Sequence, residues 1–274
     1  MFQMQHLRVP HLSSINVAYY MPKLYDRSKA TLVLIHGFSM SSHVFTGHFQ
    51  SQNLTSEMNL LGIDVIGHGE TRVKNETFTY WDTAIMIVQL LDALSINEAF
   101  ILRTSHGGCI AVRTYLIAPK KDAMAGFEPL LKAWTSSIPT PDFELDDTYC
   151  NFVVDVDFGH DCPDTLRDFW KQAMKSYYSG DDGRRKLRMA AINLRDRDSL
   201  HGRLAYVHCP VLWLQGTEDA VNTVANAKQE IDLIQNSLDA RLQIIEGGLH
   251  VLSHSHQEEV ERAVRQFVAM HHRA

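Results

Sequence analysis

The stretch that most constrains the fold is an apolar run that leads into a serine, two glycines and a helical pattern. The run Ala99–Leu102 is typical of a buried strand, and Ile110–Ile117 has the apolar spacing of a helix. Between them, Ser105 is followed after one residue by Gly107 and Gly108. This order predicts a strand, a sharp turn and a helix, with the serine at the apex of the turn.

The turn, residues 103–108, is called the elbow below. Its spacing matches G-x-S-x-G except at the first position, where Arg103 replaces glycine. A serine at such an apex projects its hydroxyl clear of the sheet, and the N–H of His106 points into the same space, where it can hold an oxyanion. The alternative is an ordinary strand–helix turn with an incidental serine. Motif matches of this length need supporting residues elsewhere.

Composition narrows the class of protein. The chain has 274 residues, of which 45% are hydrophobic and 21% charged, so we expect one large α/β domain or one domain plus a cap. The net charge of -6 disfavours nucleic acid and membrane partners and leaves a small molecule, with the oligomeric state open between monomer and homodimer. The four cysteines form no C-x-x-C pair, which indicates reduced thiols. Without an apolar N-terminal core or a spanning run, we expect a cytoplasmic location.

Apolar, β-branched runs predict the remaining strands. Such continuous runs suit strands buried on both faces of a parallel sheet, and amphipathic helices separate several of them. The predicted strands are Ile15–Met21, Thr31–Ile35, Met58–Val65, Pro210–Leu214 and Ala240–Ile245. Thr79 and Asp82 have the spacing of a capping box at the start of one helix. The order predicts a mostly parallel, doubly wound α/β sheet.

The chain changes character after the elbow helix. Residues 129–203 are helical and aromatic in pattern, so we expect a helical cap, or lid, between core segments 1–128 and 204–274. Within it, Phe152–Val156 is ambiguous between helix and strand, and Gly180–Lys186 predicts a turn and a solvated helix start. We expect the aromatic rings of the cap to line an apolar pocket, with ordinary core packing as the alternative. The candidates are Trp134, Phe158 and Trp170. Asp122–Phe127 is short for a strand, so one sheet strand is predicted to be shortened or missing there.

Three predicted strand ends each carry one reactive residue, in the order Ser105, Asp219 and His250. A serine hydroxyl needs a base to attack a carbonyl; a histidine can take its proton, and an aspartate can fix the tautomer of that histidine. The turn after Thr31–Ile35 adds a candidate ligand-binding pair, His36 and Gly37, because ligands bind at the carboxyl ends of such strands. The N–H of the next residue, Phe38, is the candidate second oxyanion donor. Asp64 and His68 follow another strand, where we expect them to hold a loop by local hydrogen bonds.

These motifs resemble those of α/β-hydrolases, and more closely those of fungal lactone and enol-lactone hydrolases. The residues that carry the resemblance are Leu34–Phe38, Gly67–Thr71, Thr104–Gly108, Cys209–Trp213, Gly216–Asp219 and Gly247–His250. The resemblance implies a nucleophile at Ser105, an acid at Asp219, a base at His250 and oxyanion donors at Phe38 and His106. It implies no cofactor. His254 and His256 invite a metal hypothesis, but the glycine pair before His250 indicates a loop rather than a metal-binding helix.

Two other functions compete with a serine hydrolase acting on a small, largely apolar ester or lactone. The run Ser105–Gly108 also resembles cofactor-free ring-cleaving dioxygenases of heteroaromatic compounds, in which a His–Asp pair deprotonates the substrate. The departure at Arg103 raises a third hypothesis, a ligand binder with an impaired elbow. Fold class alone does not choose among them.

Overall fold

The computed structural model describes residues 2–75, 77–108, 110, 128–196 and 203–272. The strands are β1 Gln5–Val9, β2 Ile15–Tyr20, β3 Ala30–Ile35, β4 Met58–Ile63, β5 Arg72–Val73, β6 Phe100–Arg103, β7 Val211–Gly216 and β8 Ala240–Ile245. The described helices are α1 Thr46–Gln50, α2 Gln52–Glu57, α3 Tyr80–Ala93, α4 Glu128–Ala133, α5 Asp147–Phe158, α6 Asp164–Tyr177, α7 Gly180–Arg195, α8 Val224–Ile231, α9 Leu252–Ser255 and α10 Gln257–His271.

The sheet is mixed, with strand order β1-β2-β4-β3-β6 and the short β5 paired to β2. The central strand β3 runs parallel to both β4 and β6, whereas β1, β2 and β5 pair antiparallel. Strands β7 and β8 form a parallel pair, and no strand pairing joins β6 to β7 within the described ranges. The elbow helix and the segment predicted to hold a shortened strand lie outside the described residues.

Strand β3 shows why the sheet is covered on both faces. Its side chains point alternately to opposite sides, so Leu32 and Leu34 belong to one core cluster and Val33 and Ile35 to another. Helix α3 covers the second face, and α10 contributes to the first. All four side chains are at most 2% exposed. Burial of this kind contributes roughly 1.5–3 kcal/mol per large aliphatic side chain, which holds the carboxyl end of the strand rigidly.

Local signals account for the helix starts. The predicted capping box is present: the Thr79 side chain accepts from the Asp82 N–H, and the Asp82 carboxylate accepts from the Thr79 N–H. In the described part of residues 129–203 every regular element is helical. The ambiguous Phe152–Val156 lies inside α5, whose N-terminus Asp146 caps by accepting from the Tyr149 N–H.

The predicted helix start within Gly180–Lys186 is present, but the predicted turn is absent and the start is not solvated at Arg184. Helix α7 begins at Gly180, and Arg184 in its first turns is only 5% exposed. The guanidinium of Arg184 donates to the Trp134 carbonyl at 2.6 Å, to Thr140 Oγ1 at 2.7 Å and to Asp181 Oδ1 at 2.9 Å. A buried cation needs such partners, and sequence spacing alone did not reveal them.

The predicted α/β class with sheet and helices is confirmed, and the sheet is less parallel than predicted because β1 adds an antiparallel edge hairpin. None of the helices among the described residues combines the length and the apolar character needed to cross a membrane.

Candidate active site

The elbow is a tight turn with strained backbone at Ser105. The φ of Ser105 is +51°, in the left-handed region that non-glycine residues rarely adopt. The Gly107 N–H donates to the Thr104 carbonyl at 3.0 Å and the Gly108 N–H to the Ser105 carbonyl at 2.8 Å. A methyl group at Gly107 would lie 2.6 Å from the Ile35 carbonyl oxygen. Glycine there lets the turn pack directly against the end of β3.

Arg103 finds room without displacing Ser105 from the apex. Its guanidinium lies against Gly108, where an added Cβ would meet Arg103 Nη1 at 2.9 Å, and its Cζ lies 5.2 Å from the centre of the Trp213 ring on β7. A guanidinium over an indole face gains a cation–π contact. The missing glycine of the motif is therefore compensated by a glycine five residues later and by an aromatic ring on another strand.

His250 and Asp219 form a close pair at the ends of β8 and β7. The His250 Nδ1–H donates to Asp219 Oδ1 at 2.8 Å. The Asp219 carboxylate also accepts from the N–H groups of Val221 and Asn222, at 2.8 and 2.9 Å, and from Gln215 Nε2 at 3.1 Å. With four donors around it, the carboxylate is fixed in place and orients the imidazole ring.

The pair also shifts the ionisation of both groups. Burial by itself lowers the pKa of His250, but the hydrogen bond to Asp219 and the negative charges of Asp157 and Asp219 outweigh it and raise that pKa above its usual value. For Asp219, burial acts to raise the pKa, and the hydrogen bonds from His250 and from the backbone of Asn222 and Val221 lower it overall. The imidazolium is thus stabilised next to an ionised carboxylate.

Ser105, Asp219 and His250 line one cavity of about 840 Å³. Phe38 and His106, the candidate oxyanion donors, line it as well. Within the described residues no hydrogen bond joins Ser105 to His250. The three residues therefore share one cavity, but only His250 and Asp219 are hydrogen-bonded to each other. Catalytic hydrogen bonds often tighten only when substrate binds.

His36 and Gly37 support the cavity from behind and are not among the described residues that line it. The His36 Nδ1–H donates to the Gly37 carbonyl at 2.7 Å, and the Val65 N–H donates to His36 Nε2 at 3.1 Å. A methyl group on Gly37 would lie 3.3 Å from the Ser105 Cβ, so this glycine permits the close approach of the two turns.

Asp64 and His68 hold the neighbouring loop, as predicted. The Asp64 carboxylate accepts from Ser42 N–H at 2.7 Å and from Glu70 N–H at 2.8 Å. His68 Nδ1 bonds the Ile66 carbonyl at 3.1 Å, and burial lowers the pKa of His68 to about 3, with the nearby His36 acting in the same direction. This imidazole stays neutral, which suits a structural role.

The three predicted aromatic pocket residues, Trp134, Phe158 and Trp170, pack against other aromatic side chains. Trp134 lies edge-on to Tyr149, with ring centres 5.2 Å apart. Phe158 stacks on Trp170 at 6.0 Å and meets His254 edge-on at 5.2 Å. None of the three is among the described lining residues. The remaining metal candidates gain no support, since the described residues contain no cluster arranged to hold a metal ion.

Many side chains that line the cavity were not predicted as site residues, Trp213 and Asp157 among them. Trp213 stands on β7 beside Arg103, and Asp157 comes from the last turn of α5. Trp213 lies inside a predicted strand, so an aromatic on a strand leading to a predicted acid was a usable signal. Asp157 had none, because the approach of α5 to the sheet edge is a tertiary feature.

Comparison with known proteins identifies the class. A family model described as serine aminopeptidase, S33, matches residues 26–257, which is most of the chain. The chain therefore belongs to this family of α/β-hydrolase enzymes.

Solved structures agree on the fold. A thermophilic esterase from Thermogutta terrifontis is 16% identical with a TM-score of 0.80, covering 98% of this chain and 100% of that one. A hydrolase from Pseudomonas aeruginosa is 20% identical with a TM-score of 0.76, covering 97% and 98%. The enol-lactonase from Burkholderia xenovorans is 16% identical with a TM-score of 0.75, covering 96% and 100%. At these identities the likeness concerns the fold.

One curated relative has a different named activity. A 2-heptyl-3-hydroxy-4-quinolone dioxygenase from Rhodococcus erythropolis is 27% identical over 142 residues. The match spans 50% of this chain and 49% of that protein, so the similarity covers about half the length of each.

Proposed function

We propose that the protein is a serine hydrolase that cleaves a small, largely apolar ester or lactone. The observation that carries the proposal is the common cavity: Ser105 at a strained apex and the His250–Asp219 pair line the same space. Much of the rest of the wall is apolar. It includes Phe38, Leu102, Phe152, Val153, Trp213 and Leu252. Such a wall favours substrates with little charge.

In the proposed reaction His250 takes the proton of Ser105 as its oxygen attacks the carbonyl carbon. The N–H groups of Phe38 and His106 stabilise the oxyanion of the tetrahedral intermediate. His250 then gives the proton to the leaving oxygen, and the acyl-enzyme forms. In the second half, His250 takes a proton from water as the water attacks the acyl carbon, and it returns this proton to the Ser105 oxygen as the acid is released. Asp219 stabilises the imidazolium through the 2.8 Å hydrogen bond. In this proposal substrate binding brings Ser105 and His250 into hydrogen-bond contact.

A fluorophosphonate probe tests the nucleophile directly. We expect the wild-type protein to be labelled and Ser105→Ala to lose both labelling and ester hydrolysis. Ser253 lines the same cavity and provides the matched control, since Ser253→Ala removes a second hydroxyl from the same space. Labelling that survives Ser105→Ala, or hydrolysis that is unchanged by it, would refute the proposal.

A second candidate is ring cleavage of a hydroxylated heteroaromatic compound by dioxygen. Two observations favour it: the dioxygenase relative, and a completed His250–Asp219 pair beside a serine that is not hydrogen-bonded to it. Here His250 removes the substrate hydroxyl proton, and the resulting anion reacts with dioxygen. Oxygen uptake with a 3-hydroxy-4-quinolone that is lost in His250→Ala and kept in Ser105→Ala would support this candidate over hydrolysis. No uptake above background would exclude it for that substrate class.

A further inference from the structure

A cap carboxylate stands next to the candidate base. Asp157 occupies the last turn of α5 and lines the cavity that holds Ser105 and His250. The Val251 N–H donates to the Asp157 backbone carbonyl at 3.2 Å, which anchors this residue beside the one that follows His250. The residue is 8% exposed. The backbone hydrogen bond and the burial of the side chain therefore fix the position of Asp157.

Asp219 and Asp157, the two acids near His250, differ in the number of hydrogen bonds that their carboxyl groups accept. Asp219 accepts four hydrogen bonds from described residues, whereas the Asp157 carboxyl accepts none from any residue that the structure describes. A buried carboxyl without donors is costly to keep unless something else supplies the missing hydrogen bonds. Asp157 lines the cavity, so a molecule bound there can supply the missing hydrogen bond.

The pKa of Asp157 depends on its burial and on the charges of Asp219 and His250. Burial raises the pKa of its carboxyl to about 7; the charge of Asp219 acts in the same direction, and that of His250 opposes it. Arg103 and Glu230 line other parts of the cavity wall. Near neutral pH this carboxyl is thus present in both forms, and a donor from a ligand favours the ionised one.

We propose that Asp157 selects the substrate by accepting a hydrogen bond from a hydroxyl or N–H group close to the reacting carbonyl. This rests on the proposed function, since it concerns the same cavity, and it narrows the substrate class to esters or lactones that carry such a donor. Discrimination of this kind is strong because a buried acceptor left unpaired penalises the analogue without the donor. The apolar wall holds the remainder of the substrate.

A matched pair of esters tests the selection. We expect the wild-type kcat/KM for 4-nitrophenyl 3-hydroxybutyrate to exceed that for 4-nitrophenyl butyrate by about 10-fold or more, the range set by one buried hydrogen bond to a charged group. Asp157→Leu removes the acceptor and should bring the ratio near one, mainly by lowering kcat/KM for the hydroxylated ester. Asp157→Asn keeps the shape and an acceptor oxygen, so it should retain part of the preference. The exposed Asp168 on α6 gives the control Asp168→Asn, which should keep the wild-type ratio.

Binding to a Ser105→Ala background separates this inference from the hydrolase proposal. There the hydroxylated ester should bind about 10-fold tighter than its partner. Calorimetry at pH 7 in buffers of different ionisation enthalpy should show release of up to about half a proton, absent when Asp157→Asn is added. If wild type hydrolyses neither ester but the binding preference holds, only the hydrolase proposal fails. If turnover and binding both lack a preference that depends on Asp157, the assignment of Asp157 is overturned.

Discussion

Asp157→Asn should stabilise the protein at high pH. The pKa of the folded carboxyl is about 7, against 3.8 for an unperturbed aspartate. Because the folded value is raised, the contribution of Asp157 to stability is fully present below pH 3.8 and is lost as pH rises through 7. At 1.36 kcal/mol per unit the loss reaches about 4 kcal/mol above pH 7. Asparagine does not ionise, so the variant is spared this loss.

Urea unfolding at several pH values measures the effect. The difference in unfolding free energy between Asp157→Asn and wild type should grow by about 3 kcal/mol from pH 5 to pH 8, since most of the titration lies in that interval. Carbon-13 NMR of the aspartate carboxyl groups should show one resonance, lost in the variant, with a midpoint near 7. Asp168→Asn, at an exposed site on α6, should change the unfolding free energy little.

Two results would contradict a raised pKa at Asp157. A difference in unfolding free energy that does not change between pH 5 and pH 8 would show that Asp157 ionises as easily in the folded chain as in the unfolded one. A carboxyl midpoint near 4 would show the same thing directly. Either result would mean that water or an unrecognised donor reaches this side chain.

Three further perturbations probe the site and its support. Asp219→Asn should lower the pKa of His250 and shift the acidic limb of the kcat/KM profile to lower pH, with a fall in kcat of about 10³–10⁴; an unshifted limb would argue against His250 as the base. Gly107→Ala should destabilise the fold by about 1–3 kcal/mol in thermal or urea unfolding, because the added methyl meets a backbone carbonyl. Gly47→Ala meets only the end of a side chain and should cost less, and equal costs would contradict the argument. Burial opposes ionisation of Glu261, but hydrogen bonds lower its pKa to about 2. Glu261→Gln should therefore reduce the unfolding free energy at pH 7 by about 2 kcal/mol. The difference from wild type should shrink as pH falls below about 4.5, and a difference that persists in acid would contradict a lowered pKa for Glu261.

The central strands were predictable because a strand that is buried on both faces has a continuous apolar run in its sequence. The run Thr31–Ile35 coincides with β3 to within one residue, and every side chain of β3 is buried. The run Ala240–Ile245 also coincides with β8, although most side chains of β8 are exposed, so its prediction did not depend on burial. The edge strand β1, Gln5–Val9, was not predicted, since its side chains are mostly exposed and its sequence is polar at alternate and adjacent positions. Edge strands owe their place to pairing with a neighbour, which single-sequence periodicity does not record.

The positions of the three candidate residues at strand ends were also predictable, whereas the contribution of residues 129–203 to the cavity was not. Ser105, Asp219 and His250 follow strands whose order sets where their carboxyl ends meet, and the three line one cavity. Trp134 and Trp170 stood out only as large aromatics, and such side chains serve packing at least as readily as binding. Which face of a cap helix meets the sheet depends on helix packing, so Asp157 carried no local signal.

Arg103 shows how a motif position can change without loss of the turn that the motif describes. What the elbow requires at that position is space, because the strand leading to it packs against its neighbours. Glycine supplies that space with no side chain. Here the side chain is present, lies against Gly108 and also faces the Trp213 ring. Replacing Gly108 by alanine should therefore disturb Arg103 first. We expect Gly108→Ala alone to reduce probe labelling of Ser105, and Arg103→Gly combined with Gly108→Ala to restore it. That result would show that positions 103 and 108 compete for the same space.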